Sequence, residues 1–163
     1  MRAVIALVAL LLTAPVAGAA GGTDIVAVDD LISAPRRLFG RTRAAVEQAL
    51  GPPPSVRQRT LPATPTAPAE PVHVLAYPGV VVTVSMRTST VRGVEISEPR
   101  WSLPRGLNVG TPRALVEAVL GEPQLVSDGS VLYLDADGFP NTVELQFRGD
   151  AVRRIEWSYA PTD

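Results

Sequence analysis

The chain has 163 residues, with 15 Arg plus Lys against 16 Asp plus Glu, one His, no Cys and 46 % hydrophobic residues. That composition excludes a wholly disordered chain and a disulfide-stapled scaffold. A formal net charge of −1, with no basic stripe to neutralise phosphates, excludes a nucleic-acid binder.

The first element in chain order is an export signal. Met1 and Arg2 precede an apolar run over residues 3–12, Pro15 breaks it, and Ala17-Gly18-Ala19 fits the small-x-small pattern of a signal-peptidase site. Residues 1–19 are therefore expected to be a signal peptide, and the protein to be periplasmic or secreted. A signal anchor is the competing reading, because residues 3–22 carry no charge over a length of about 20 residues, enough to span a bilayer. Without a Cys there is no acceptor for a lipid anchor.

Two stretches of the remaining chain repeat each other. With an offset of 70, residues 38–56 lie over 108–126 and nine of the nineteen positions are identical, among them Gly40 with Gly110, Glu47 with Glu117, Gly51 with Gly121 and Pro53 with Pro123. With an offset of 61, residues 82–97 lie over 143–158 with six identities. Internal similarity at a fixed period takes priority over other sequence signals. It divides the chain into a first unit, 20–98, and a second, 99–163.

Each unit is predicted to begin with a short helix. Thr42 and Thr111 are placed to cap free N–H groups, Pro112 suits a first turn, Gly51 and Gly121 suit a left-handed end, and Pro53 and Pro123 prevent continuation. Between them Ala45, Val46, Ala49 and Leu50, and likewise Leu115, Val116, Val119 and Leu120, form one apolar stripe. A helix of about nine residues is not stable alone, so the stripe must pack on something.

The predicted partner is a sheet. Val80, Val82, Val84 and Met86 alternate with polar or smaller residues, as do Val143, Leu145 and Phe147, and then Ile155, Trp157 and Tyr159, which is the period of half-buried strands. Residues 72–77 and 130–134 supply a further strand in each unit, and residues 87–90 and 148–150 supply turns. Seven prolines within 51–71 mark a semi-extended loop over 52–71, and the junction 98–107 carries Trp101 between Pro99 and Pro104. The expected fold is thus α+β: two tandem copies of a short helix packed on an antiparallel three-stranded sheet.

No nucleophile elbow, phosphate-cradling glycine loop or metal-binding His pair occurs, so no catalytic, cofactor-binding or metal-binding residues are assigned and the protein is expected not to be an enzyme. Asp135-Ala136-Asp137-Gly138 with Glu144 resembles part of a calcium loop, but Tyr133 would stand at its first ligand position, and a polar hairpin turn explains the same residues. His73 reads as a strand histidine with one hydrogen bond. Residues 36–59 carry six Arg against Glu47, a local charge of +5, which gives at most a weak association with a membrane surface.

Around Gly40 to Pro53 and Gly110 to Pro123, the order of glycine, capping Thr, Val-Glu, Leu-Gly and Pro resembles two families of small exported domains. These are the outer-membrane assembly lipoproteins of the BamE (SmpA/OmlA) family and the beta-lactamase inhibitory proteins. The resemblance implies helical elements packed on antiparallel sheet, and a protein-binding face. The lipid-accepting Cys of the first family and the disulfides of the second are absent here.

The expectation is an exported, non-enzymatic protein-binding module of the bacterial cell envelope, with a periplasmic inhibitor or immunity protein as an alternative. Its candidate partner-binding residues are Arg87, Glu95, Trp101, Glu144, Gln146, Arg148 and Glu156. A small exported hydrolase is the rival class, because Glu144 and Glu156 would share one sheet face near Arg148 and Arg154.

Overall fold

The structure is a computed structural model that describes residues 21–65, 67–136 and 141–161. The expected signal peptide and the Asp137-Gly138 turn lie outside the described residues. Two helices, α1 (Ile25–Phe39) and α2 (Arg43–Leu50), precede four strands: β1 (Ser55–Leu61), β2 (Glu70–Tyr77), β3 (Val80–Ser85) and β4 (Val91–Ile96). A single 3-10 turn (Pro104–Gly106) then leads into α3 (Arg113–Leu120) and four more strands: β5 (Leu125–Ser127), β6 (Ser130–Leu134), β7 (Thr142–Arg148) and β8 (Ala151–Ser158).

All eight strands form one antiparallel sheet in the order β1-β2-β3-β4-β8-β7-β6-β5. This overturns the expectation of a three-stranded sheet in each of two tandem copies. The last strands of the two halves, β4 and β8, pair through Gly93 with Ser158, Val94 with Trp157, Glu95 with Glu156 and Ile96 with Ile155, which fuses both meanders into one sheet. Each half also has a strand that the sequence reading missed. β1 lies inside the expected proline-rich loop, where prolines flank it on both sides but none falls within Ser55–Leu61. As an edge strand with mostly exposed side chains it needs no apolar alternation. β5, at the opposite edge, is only three residues long.

The helices cover one face of the sheet. α1 was not foreseen, and its center is the molecule's core: Ala27, Val28, Leu31, Ile32, Ala34, Pro35 and Phe39 are buried along one side of it. Asp24 caps it by accepting from the Ala27 N–H at 3.0 Å. Pro35 stands inside this helix and has no N–H to return to the Leu31 carbonyl. That carbonyl instead accepts from Trp157 Nε1 at 2.9 Å, and the next one, Ile32, accepts from the Tyr159 hydroxyl at 2.9 Å. α1 meets both α2 and α3, so all three helices belong to one layer. Below it lie Leu75, Val82, Val94 and Ile96 from one half and Tyr133, Leu145, Ile155 and Trp157 from the other, each almost wholly buried. Each such side chain contributes about 2 kcal/mol of transfer free energy.

Local helix signals are only partly as expected. Thr42 caps α2 by accepting from the Ala45 N–H at 3.3 Å. Thr111 does not cap α3. Its hydroxyl accepts from the Asn108 N–H at 2.8 Å, and Pro112 holds the cap position by backbone alone. Of the two expected stripes, Val46, Val116 and Leu120 are buried, whereas Leu115 is exposed, because α1 rather than the short helices fills the center of the layer. Gly51 and Gly121 end their helices with φ of 82° and 72°, and their carbonyls accept from the hydroxyls of Tyr77 (3.1 Å) and Tyr133 (3.0 Å). Met86 lies beyond the end of β3 and is exposed, while Ser85, on the opposite face from Val84, is buried.

Candidate functional site

The face of the sheet opposite the helices carries the chemistry. Strand alternation sends Val94, Ile96, Ile155, Trp157, Val143 and Leu145 into the core, so Glu95, Glu156 and Glu144 point the other way. Cross-strand register places Glu95 opposite Glu156, and Glu156 opposite Glu144, which makes a row of three carboxylates across β4, β8 and β7. Like charges directly opposite one another on a sheet are unfavourable.

Arg154 offsets that repulsion. It lies opposite Gln146 and spans three strands. Its Nε and Nη2 donate to Gln146 Oε1 at 3.1 and 2.9 Å, and its Nη1 donates to Glu95 Oε1 at 3.2 Å. Glu156, in the middle of the row, has no such partner. Burial pushes its carboxyl up from the ordinary value, the charges of Glu95 and Glu144 add to the rise, and Arg154 and Arg59 oppose it.

Beside this row the face is hollow. A cavity of about 220 Å³ has Gly93 among its lining residues, with Val74, Val81 and Thr83 as apolar wall, Glu95 and Glu156 as acidic wall, and Arg59 and Leu61 from β1 on the far side. β1 and β8 are four strand spacings apart, about 19 Å on a flat sheet. A single cavity touched by both means that the face is curled inward. Gly93 lines the hollow without a side chain, and a Cβ there would stand 3.0 Å from the Trp157 carbonyl oxygen of the neighbouring strand, tighter than an ordinary contact.

Six of the seven expected site residues therefore divide into three groups. Glu95, Glu144, Gln146 and Glu156 come together on the open face. Arg148 is exposed at the last residue of β7. Arg87 lies in the β3–β4 turn, where with Glu70 and Arg92 it lines a separate cavity of about 160 Å³. There Arg92 Nε donates to Glu70 Oε2 at 2.8 Å, in an ion pair whose side chains are only 8 and 15 % exposed. Burial alone would raise the Glu70 carboxyl, but hydrogen bonds from Ser85 and Arg92 and the charges of Arg92 and Arg87 outweigh it and hold it below the ordinary value.

Trp101 belongs to none of these groups. It packs edge-on against Phe39 of α1, with ring centroids 5.0 Å apart, at the helix layer and not on the open face. His73 Nδ1 lies 3.2 Å from Arg43 Nη1, as a strand histidine with one partner. Sequence reasoning did not assign Arg154, Arg59 or Gly93 to the site. The alternation of β8 already put Arg154 in phase with Glu156, but Arg59 and Gly93 reach the hollow only through non-local strand pairing.

The fold is that of a long antiparallel sheet with one face covered by helices, and a solved structure is similar to it. No protein-family model matches the chain, and no curated protein matches it. An extracellular protein containing a SCP domain from Bacillus anthracis str. Ames is similar with a TM-score of 0.52 and 11 % identity, covering 92 % of this chain and 50 % of that one. The chain thus spans about half the length of that protein. More distant are the uncharacterized protein yfeY from Escherichia coli, with a TM-score of 0.41 and 15 % identity over 71 % of this chain and 87 % of that one, and a proposed beta-lactamase inhibitor protein from Streptococcus mutans, with a TM-score of 0.28 and 16 % identity over 71 % and 80 %. The likeness to the Bacillus anthracis protein is one of fold.

Proposed function

We propose that this chain is an exported, non-enzymatic protein-binding module of the bacterial cell envelope that docks its partner on the open face of the sheet. The observation that carries this reading is the curled face itself. It combines a hollow with an apolar part, Leu61, Val74 and Val81, and a charged row, Glu95, Glu156 and Glu144, whose Glu95 is held by Arg154. Protein interfaces use that combination of apolar center and polar rim, and opposed charges set register and partner choice. The signal-like residues 1–19 and the extracellular neighbor of similar fold support export. An inhibitor or immunity protein is one form this function would take.

The test starts from an exported-protein extract passed over the immobilised chain. The retained protein is then purified, and its affinity measured by calorimetry for the wild type, for Arg154→Glu and for the helix-side control Leu115→Ser. The expected result is at least a tenfold loss for Arg154→Glu and none for Leu115→Ser. Equal binding by wild type and Arg154→Glu would overturn the reading.

The raised carboxyl of Glu156 beside Glu95 and Glu144 favours a second reading, a small hydrolase with a carboxylate acid and base. The alanine variants of Glu144 and Glu156 separate the two. A binder stays folded and loses affinity, whereas an enzyme loses turnover.

A further inference from the structure

A second cavity, of about 260 Å³, lies away from the carboxylate row, against the C-terminal half of α1. Arg36 and Ile32 of α1, Arg41 of the α1–α2 turn, Asp135 after β6, Asn141 before β7 and Tyr159 after β8 all border it. Its charges are incompletely matched. The Arg36 guanidinium lies 3.9 Å above the Tyr159 ring, and that ring is fixed by its own hydrogen bond to Ile32. Neither Arg36 nor Arg41 makes a side-chain hydrogen bond or ion pair among the described residues, and Arg36 Nε is shut off from solvent without a partner.

Across the cavity, Asp135 Oδ2 accepts from Asn141 Nδ2 at 2.6 Å, while Asp135 Oδ1 is buried and has no hydrogen-bond partner among the described residues. Arg36 and Asp135 do not form an ion pair with each other, so a donor and an acceptor of opposite charge border one space without meeting. The other charged groups on this cavity are already engaged. Asp29 accepts from the Ala136 N–H at 3.2 Å, and Arg37 bonds Ser33 and the Asp30 carbonyl. Burial lowers the Arg36 pKa, and the positive charges of Arg41 and Arg92 add to that, against Tyr159 and Asp135. A buried polar group left unpaired is costly, about 1–3 kcal/mol, and more when charged.

A single simple ion does not resolve this arrangement. An anion would pair with Arg36 and Arg41 but be repelled by Asp135, and a cation would meet the reverse. A species carrying both charges satisfies both sides. The volume sets its size: 260 Å³ falls just below the range of about 300–1,000 Å³ usual for drug-sized ligands. We propose that this cavity binds a small zwitterion, a free α-amino acid, with its carboxylate on the Arg36 and Arg41 guanidinia and its ammonium toward Asp135. Arg36, preset over Tyr159, offers the carboxylate a planar donor fork.

The test uses the full chain at neutral pH and titrates glycine, L-alanine, acetate and methylammonium separately, read by calorimetry and by the shift in melting temperature. Glycine or L-alanine is expected to bind saturably, at least tenfold tighter than acetate or methylammonium. Arg41→Gln, at an exposed position, is expected to weaken the amino acids at least tenfold. Asp135→Asn, isosteric and able to keep the Asn141 contact, is expected to abolish the preference for glycine over acetate, with circular dichroism showing that both variants are folded. Acetate binding as tightly as glycine, Asp135→Asn keeping the preference, or no ligand moving the melting temperature would each overturn the proposal, the last by showing a cavity that holds only water.

Discussion

The Trp157 indole N–H donates to the Leu31 carbonyl at 2.9 Å, the one carbonyl of α1 that Pro35, four residues on, cannot serve. A proline inside a helix ordinarily breaks it by removing that hydrogen bond. Here the sheet supplies the missing donor from β8, and the helix runs on to Phe39. With the Tyr159 hydroxyl on the Ile32 carbonyl, it ties α1 to the far side of the core at two adjacent polar contacts.

Removing that donor should be expensive. Trp157→Phe leaves the Leu31 carbonyl unpaired and a void beside it, and is expected to cost about 3 kcal/mol in urea unfolding. In a Pro35→Ala background the new N–H at position 35 can serve Leu31, so the same substitution should cost about 1 kcal/mol less. A double-mutant cycle without that coupling would show that the two residues are independent.

Gly40 sets the corner between α1 and α2. Its φ is 84°, and a Cβ there would lie 2.3 Å from the Ala45 Cβ. Gly40→Ala is therefore expected to destabilise by about 2–4 kcal/mol, from the left-handed backbone and the overlap together. Thermal unfolding checks it. A loss under 1 kcal/mol would mean that the corner adjusts freely.

The Glu70–Arg92 pair is the buried charge pair most sensitive to removal of one partner. Arg92→Met leaves the Glu70 carboxylate buried without its ion-pair partner and should cost about 3 kcal/mol, whereas Glu70→Leu with Arg92→Met should cost less than the single change. Because the folded-state pKa of Glu70 is lowered, its contribution is full above the ordinary carboxylate range and is lost as pH falls through the lowered value. Acid unfolding followed by circular dichroism should begin at a higher pH in a background where Glu70 is less well bonded, such as Ser85→Ala.

Glu156 has the opposite sign. Its folded-state pKa is raised, so the stability tied to its protonated form is full below the ordinary carboxylate range and is lost as pH rises through the raised value. Glu156→Gln removes the central charge of the row and is expected to stabilise the protein by about 0.5 kcal/mol at neutral pH. At pH 4 the difference should vanish, and a difference independent of pH would rule out the charge row as its cause.

Much of the candidate site was readable from strand phase alone. The alternation Val143, Leu145, Phe147 and Ile155, Trp157 put Glu144, Gln146 and Glu156 on a common outward side, because period two is a property of each strand by itself. That these carboxylates lie in a single row with Glu95 was not readable, since β4 and β8 are some sixty residues apart in sequence and only their pairing sets the register. The surroundings of Trp101 were not readable for a related reason. Its apolar neighbours, Phe39 and the rest of α1, belong to a helix that the proline at position 35 disguised.

The amino-acid sequence by itself determined the short-range features: where α2 and α3 end, at Gly51 and Gly121, which side of β3, β7 and β8 is apolar, and where the tight turns fall. Each depends on the conformational freedom or solvation of a few neighbouring residues. Tertiary structure alone decided that the strands make one sheet of eight, that Ser55–Leu61 is an edge strand, and that Ile25–Phe39 stays helical through Pro35. In each case the backbone hydrogen bonds or the replacement donor come from residues distant in sequence, so no local pattern encodes them.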